Sequence, residues 1–357
     1  MKKRKILFIV FLILSIGLLM VYSSSHIWAQ YKENDSLYFF KRQAIFVMIG
    51  LILLFFFSKI DYHLYQRHSL KIIIFSTILL ILVLVPGIGI VRGGSRSWFN
   101  LGLFALQPSE IYKIALIIYV SDYISRHYHQ MKKLRYCLKP LIITGIGFFL
   151  IMLQPDFGSG FVMCCSILLM IIITPFPFCY IFFLGLSGVM MIVLMIISAP
   201  YRMKRIFAFL DPFQDPLGSG FQMIQSLYAI GPGGILGSGF DQSIQKHFYL
   251  PEPQTDFIFA IYLEEFGFIG GVLLILLYAY LFITYFNYAK KANDLFGSFL
   301  MIGMTSMIGI QTIINLGVVV GLFPVTGVTL PLMSYGGTSL LITLIEIGIM
   351  YNIIKSI

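Results

Sequence analysis

Leu250-Pro251-Glu252-Pro253-Gln254-Thr255-Asp256-Phe257-Ile258-Phe259-Ala260 joins a proline-broken polar segment to a long apolar run. The junction reads as the place where a membrane helix meets water, with Asp256 at its start. An ionisable group there is costly unless it is used, so Asp256 is a functional-site candidate. A helix amino-cap is the competing reading.

Composition agrees with a membrane class. The chain is 59% hydrophobic and 11% charged, with a mean hydropathy of +0.91, far from the mix of a soluble domain. Runs long enough to cross a bilayer recur along its length. Ten are expected, at about 6–22, 43–57, 70–90, 109–124, 140–154, 158–174, 178–198, 257–284, 297–320 and 328–353. The expected fold is all-α: one polytopic membrane domain over 1–357, with a large extracytoplasmic loop, about 199–256, between spans 7 and 8.

Charge orients it. Ten spans put both ends on one side, which carries Lys2-Lys3-Arg4-Lys5, Lys59, Arg67, Lys71, Arg126, Lys132, Lys133, Arg135, Lys139, Lys290, Lys291 and Lys355. By the positive-inside rule that side, with both termini, is cytoplasmic. Most acidic residues lie in or near the outer loops, so the net charge of +10 is a topology signal and says nothing for nucleic acid. The first span has a basic start but a poor cleavage site at Val21-Tyr22-Ser23-Ser24-Ser25-His26, and is read as an uncleaved helix. Cys137, Cys164, Cys165 and Cys179 carry no disulfide message.

The long loop is far beyond ordinary connection length. Tyr201-Arg202-Met203-Lys204-Arg205-Ile206 is a basic amphipathic start suited to lipid headgroups. Phe221, Ile224, Leu227 and Tyr228 fall at helical spacing and predict a short interfacial helix. Gly231-Pro232-Gly233-Gly234 and Gly237-Ser238-Gly239 allow sharp bends or close approach. The loop is either a simple lid or, as loops of this size on a rigid scaffold usually are, functional.

Other outer segments repeat the theme. Arg92-Gly93-Gly94-Ser95-Arg96-Ser97-Trp98 joins two cations to flexible backbone. In Gln107-Pro108-Ser109-Glu110-Ile111-Tyr112-Lys113, Glu110 and Lys113 are three apart on one helical face and can pair. Gln154-Pro155-Asp156-Phe157-Gly158-Ser159-Gly160 is a polar corner, while Pro324-Val325-Thr326-Gly327 and Ser334-Tyr335-Gly336-Gly337-Thr338-Ser339 bring hydroxyls and glycine beside a span. Together they describe an outward-facing cavity. No Walker loop, zinc spacing or Gly-x-Ser-x-Gly elbow is present.

These blocks, in this order over nearly the whole chain, resemble the SEDS proteins (shape, elongation, division and sporulation), which include FtsW, RodA and stage V sporulation protein E. The run from Ser198-Ala199-Pro200-Tyr201 to Asp256 looks most like the sporulation protein E and FtsW branch. The resemblance implies a peptidoglycan glycosyltransferase that polymerises lipid II, the undecaprenyl-pyrophosphate-linked disaccharide-pentapeptide, at the outer face of the bacterial cytoplasmic membrane. It also implies a class B penicillin-binding protein, a transpeptidase, as partner. The family's essential aspartate lands on Asp256, the expected catalytic residue, and the glutamate and lysine of its Gln-Pro-Ser-Glu-x-x-Lys motif land on Glu110 and Lys113, expected with Arg92, Arg96, Arg202 and Arg205 to bind substrate.

Glycosyl transfer from a pyrophosphate needs a base for the acceptor hydroxyl and charge stabilisation for the leaving group. Asp256 is the expected base, and its place near a helix amino end is expected to favour the ionised form. Arg92, Arg96, Arg202, Lys204 and Arg205 are the outer cations open to a pyrophosphate. A Mg²⁺ or Mn²⁺ ion shared by carboxylate and pyrophosphate fits the same chemistry. Glu264 and Glu265, two turns deeper, point to different faces, and at least one is expected to pair with a buried cation. Two departures from the family pattern stand out: Asp241, where glycine is usual, and Leu332-Met333, expected to be a packing change. The rival functions are a lipid II flippase, which should hold its charges near the midplane, and a non-catalytic scaffold for the transpeptidase.

Overall fold

The computed structural model describes residues 2–92, 94–102, 104–197 and 200–357. A helix falls on each of the ten expected segments: α1 (Lys2–Glu33), α2 (Tyr38–Phe57), α4 (Ser69–Leu82), α5 (Pro108–His127), α6 (Leu134–Met152), α7 (Phe157–Ile172), α8 (Phe178–Ile197), α11 (Ile258–Ala289), α12 (Leu295–Val319) and α13 (Gly337–Ser356). Shorter helices α3 (His63–Arg67), α9 (Pro200–Leu210) and α10 (Phe221–Gly233) complete the set. Among the described residues, α1, α2, α6, α11, α12 and α13 are long and apolar enough to cross a membrane, and α4 and α7 are shorter apolar helices. The chain is a polytopic helical membrane protein.

The axis of the bundle is α12. The most apolar stretch of α12 is 83% buried, against 17% for α2, and it packs against α5, α7, α11 and α13. A helix buried all round places its few polar groups where water cannot reach them, so each needs a protein partner.

Four expectations are corrected. The first helix does not stop near residue 22 but runs to Glu33. Its serines cost the helix little, because Ser24 and Ser25 donate to the carbonyls of Met20 and Val21, four residues back, at 2.7 and 2.5 Å. The third helix ends at Leu82 instead of 90, and the chain enters a small antiparallel sheet of β1 (Gly89–Arg92), β2 (Ser95–Asn100) and β3 (Ala105–Leu106). The fold is all-α as expected, with this one small sheet beside the bundle. Pro86-Gly87 breaks the helix, and Ile90 pairs with Trp98 in the hairpin.

The last span starts later than expected. Residues 321–336 are non-helical, and α13 begins only at Gly337. Buried irregular backbone needs partners for its polar groups, and here the bundle satisfies it. Tyr278 Oη donates to the Pro331 carbonyl at 2.5 Å, Gln43 Nε2 to that of Ser334 at 3.0 Å, and Ser334 Oγ accepts from the Leu330 N–H at 2.8 Å. Leu332 and Met333 are buried here, in keeping with a packing role, with Leu332 at φ +66°.

The fourth correction lies in α11, expected as one continuous span. Gly267, at φ +65° and ψ −166°, interrupts it. A short helix, 258–266, follows Asp256, and the long helix resumes at 268. The segment 234–239 lies in the break and pairs with it. Ser238 and Gly239 N–H groups donate to the Glu264 and Glu265 carbonyls at 2.9 and 3.0 Å. Those of Phe268 and Ile269 donate to Gly234 and Ile235 at 2.9 and 3.1 Å. A Cβ at Gly237 or Gly267 would overlap the facing backbone, so glycine is required at both.

The long segment 199–256, expected as an outer loop, is folded over its described residues. Its expected amphipathic start is α9 and its expected short helix is α10, which buries Met223, Ile224 and Ser226 against α11 and α12. Ser198 and Ala199 lie outside the described residues.

Candidate functional site

Asp256 sits half-buried just before α11. Its backbone carbonyl accepts from Asn315 Nδ2 at 2.8 Å, and the same amide donates to the Val328 carbonyl at 2.7 Å. One side chain of the central helix therefore clamps the Asp256 junction to the 321–336 segment. Tyr335 N–H donates to the Gln254 carbonyl at 2.8 Å, a second tie between the same two strands of chain. Among the described residues the Asp256 carboxylate accepts no hydrogen bond, and its Oδ2 faces Gly327, where an added Cβ would stand 3.7 Å away.

The polar corner closes the other side. Asp156 caps α7, accepting from Ser159 N–H at 3.1 Å, and its other oxygen accepts from Gln107 Nε2 at 3.0 Å. Gly158 packs against Thr326 and Val328 so closely that a Cβ would collide with both. Segments near residues 107, 156, 256 and 327, far apart in sequence, thus meet at one end of the bundle.

Burial pushes the Asp256 carboxyl up to about 6. Glu252 adds to the rise, Arg205 opposes it and Asp156 adds again. Desolvation and two neighbouring carboxylates thus work against the ionised form that the helix amino end was expected to favour.

Arg205 is the cation that reaches this carboxylate electrostatically, and it donates from its guanidinium to the Val325 carbonyl at 3.1 Å. With Lys204, Gln222 and Val325 it lines a cavity of about 260 Å³ between α9 and α10. Arg202 lies against Met152 Sδ at 4.0 Å. Arg96 is on β2, a strand tied to the polar corner by Ser97 Oγ donating to the Gln154 carbonyl at 3.2 Å. Arg92 ends β1, and its side chain lies outside the described residues.

Glu110 and Lys113 do pair, at 2.7 Å, but inside the bundle, with side chains only 8% and 3% exposed. Lys113 Nζ also donates to Gln311 Oε1 at 3.2 Å, and Gln311 Nε2 donates to the Thr329 carbonyl at 3.0 Å. Glu346 of α13 is a further carboxylate in electrostatic reach of the pair. Gln311 and Asn315 are four residues apart on α12, so the buried ion pair lies about one 6 Å helical turn from the Asp256 clamp. Gln311, Asn315 and Glu346 were not expected from sequence. The signal was there: two amides at i, i+4 and a carboxylate inside runs otherwise apolar.

Glu264 and Glu265 split as their spacing implied. Glu264 accepts from Ser243 Oγ at 2.5 Å and Ile244 N–H at 2.7 Å, and Glu265 faces the buried Lys246 at 3.4 Å. The cation comes from the long segment between α8 and α11. Asp241 is at φ +66°, the left-handed region where glycine costs nothing, and its carboxylate meets Lys246 at 2.5 Å.

The family model described as "Cell cycle protein", that of FtsW, RodA and SpoVE, matches residues 3–357. The chain belongs to this family. Among SEDS relatives, it is 49% identical over 346 residues to stage V sporulation protein E of Bacillus subtilis, covering 97% of this chain and 94% of that one. It is 41% identical over 350 residues to the probable peptidoglycan glycosyltransferase FtsW of Trichlorobacter lovleyi, covering 98% and 92%. The fold superposes on a chain of the structure reported as "Structural coordination of polymerization and crosslinking by a peptidoglycan synthase complex", with TM-score 0.79 and 29% identity, over 99% of this chain and 97% of that one. It also matches the rod shape determining protein RodA of Thermus thermophilus, with TM-score 0.73 and 26% identity, over 99% and 96%.

Proposed function

We propose that this SEDS protein is a peptidoglycan glycosyltransferase that polymerises lipid II at the outer face of the bacterial cytoplasmic membrane. Its termini face the cytoplasm and a class B penicillin-binding protein is its partner. The observation that carries the reading is the open Asp256 carboxylate beside Arg205, at the end of the bundle where the SEDS motifs meet. The names of its relatives point the same way.

In the proposed step an acceptor sugar hydroxyl attacks the anomeric carbon of the donor. The new C–O bond forms as the bond to pyrophosphate breaks, Asp256 takes the hydroxyl proton, and undecaprenyl pyrophosphate leaves. Arg205 and Lys204 oppose the charge that develops on the leaving group, and Arg92, Arg96 and Arg202 belong to the same proposed basic rim. Glu110 and Lys113 are enclosed, so their proposed part is to hold the site's floor through Gln311 and Asn315. Among the described residues no three His, Cys, Asp or Glu side chains gather as a metal cage. A Mg²⁺ or Mn²⁺ ion would rest on Asp256 and substrate phosphates, as Mg²⁺ does with one or two carboxylates, and would neutralise pyrophosphate charge.

One feature belongs to the flippase reading, the interrupted α11, since broken helices line many transport sites. Here, however, the groups freed at Gly267 are taken by residues 234–239. The test is polymerisation of labelled lipid II by the purified protein with its transpeptidase and Mg²⁺ or Mn²⁺. Long glycan products are expected; none from folded, partnered protein would overturn the proposal.

Two further results are expected. The base must be deprotonated, so kcat/KM should rise with pH through about 6 where no ion sits on Asp256, or at lower pH where one does, and level off above it. Below, it should fall about tenfold per pH unit. With no ion bound, a pH-independent rate between 5 and 7 would remove Asp256 as the base. Asn315→Leu would strip two carbonyls of their donor, costing about 1–3 kcal/mol for each left buried and unpaired. Loosening of the Asp256 junction should lower kcat about tenfold to a hundredfold, read against a thermal melt of the same sample.

A further inference from the structure

Lys246 lies in the long outer segment yet is 3% exposed, and it serves neither the Asp256 cavity nor the solvent. Its ammonium donates to Asp241 Oδ1 at 2.5 Å, to the Asp241 carbonyl at 2.7 Å, to Ser23 Oγ of α1 at 3.3 Å and to Glu265 Oε1 at 3.4 Å. Ser23 Oγ donates in turn to Glu265 Oε1 at 2.5 Å. One cation therefore joins three separate parts of the chain: the first helix, the outer loop and the broken helix. His26 Nδ1, 3.5 Å from Asp241, borders the cluster.

The junction is held where it matters for Asp256. The short helix 258–266 connects Asp256 to the break at Gly267, a span of about 13 Å at 1.5 Å per residue. Its near end is clamped by Asn315. At its far end, backbone pairing with 234–239, the Glu264 bonds to residues 243 and 244, and Lys246 hold it. A helix interrupted by glycine has lost its own ladder there, so its direction is set by what fills the gap.

We infer that Lys246 is a positioning residue, a charged latch that seats the outer loop in the break of α11 and thereby fixes the short helix that follows Asp256. The activity arm of its test rests on the polymerase reading; the structural arm does not. The geometry is a three-body one, with a single ammonium facing two carboxylates. Removing the lysine leaves the buried Glu265 without its cation, while Asp241 is partly exposed; removing lysine and glutamate charge together leaves no buried unpaired charge.

The experiment compares wild type, Lys246→Met and Lys246→Met/Glu265→Gln by hydrogen–deuterium exchange and by lipid II polymerisation with the transpeptidase present. In Lys246→Met the amides of Ser238, Gly239 and Phe268 should exchange about tenfold faster or more, while those of α12 stay protected. kcat should drop about tenfold to a hundredfold with KM nearly unchanged. The double variant, which avoids burying an unpaired charge if the single one does not fold, should lie between the two in both readouts. Wild-type exchange and wild-type kcat in a folded double variant would overturn the latch, as would loss of protection with kcat unchanged. If wild type itself makes no glycan, the polymerase proposal fails, and the exchange pattern still decides whether Lys246 seats the loop.

Discussion

Polymerisation of labelled lipid II by the Asp256→Asn protein is expected to fall by about 10²–10⁴-fold, the usual weight of a positioned acid–base group. The substitution is nearly isosteric and leaves the backbone carbonyl that Asn315 holds, so the fold and the association with the transpeptidase should survive. Burial already raises this carboxyl, and a neutral amide in its place costs less to desolvate than a carboxylate, so stability should not drop. Activity and partner binding are measured on the same preparation. Loss of product with binding intact separates an enzyme from a scaffold. Equal product from variant and wild type would keep the polymerase and discard Asp256 as its base.

The second large effect is expected from Lys113→Met. Lys113 is the counter-charge to Glu110 at 2.7 Å and lies in electrostatic reach of Glu346. Without it two carboxylates share a dry interior. Breaking a buried pair from one side costs about 3–5 kcal/mol, enough to be seen as a lower melting temperature or a lost folded yield. Lys113→Met/Glu110→Gln should recover part of that loss, because one of the two uncompensated carboxylates goes with it and Glu346 remains. If Lys113→Met melts like wild type, the pair is not what holds the floor of the site, and a direct role for Lys113 toward substrate becomes the better reading.

Much of the architecture was legible because the membrane imposes strong rules on sequence. Hydropathy located a helix at each of ten segments, and the spacing of Phe221, Ile224, Leu227 and Tyr228 marked α10. Errors fell where the backbone leaves the helix inside the bundle. Gly267 lies in a run long and apolar enough to read as one span despite Glu264 and Glu265, and 328–336 is apolar enough to read as the start of α13. Hydropathy measures the solvent around a segment. It does not distinguish a helix from irregular backbone whose polar groups are met by Tyr278, Gln43 and Asn315.

Composition and order of motifs were thus sufficient for a polytopic membrane protein of the SEDS type, and they marked Asp256 as the group to test. They also paired Glu110 with Lys113, since three residues along a helix is a local distance. What the tertiary structure alone decided is which groups meet across hundreds of residues: Gln107 with Asp156, Asn315 with Asp256, Lys246 with Ser23 and Glu265. It also set groups against the ionised Asp256 carboxyl that the sequence did not bring together. A helix-end effect can be read from neighbours in sequence, but desolvation and the approach of Glu252 and Asp156 depend on how the chain closes around the group.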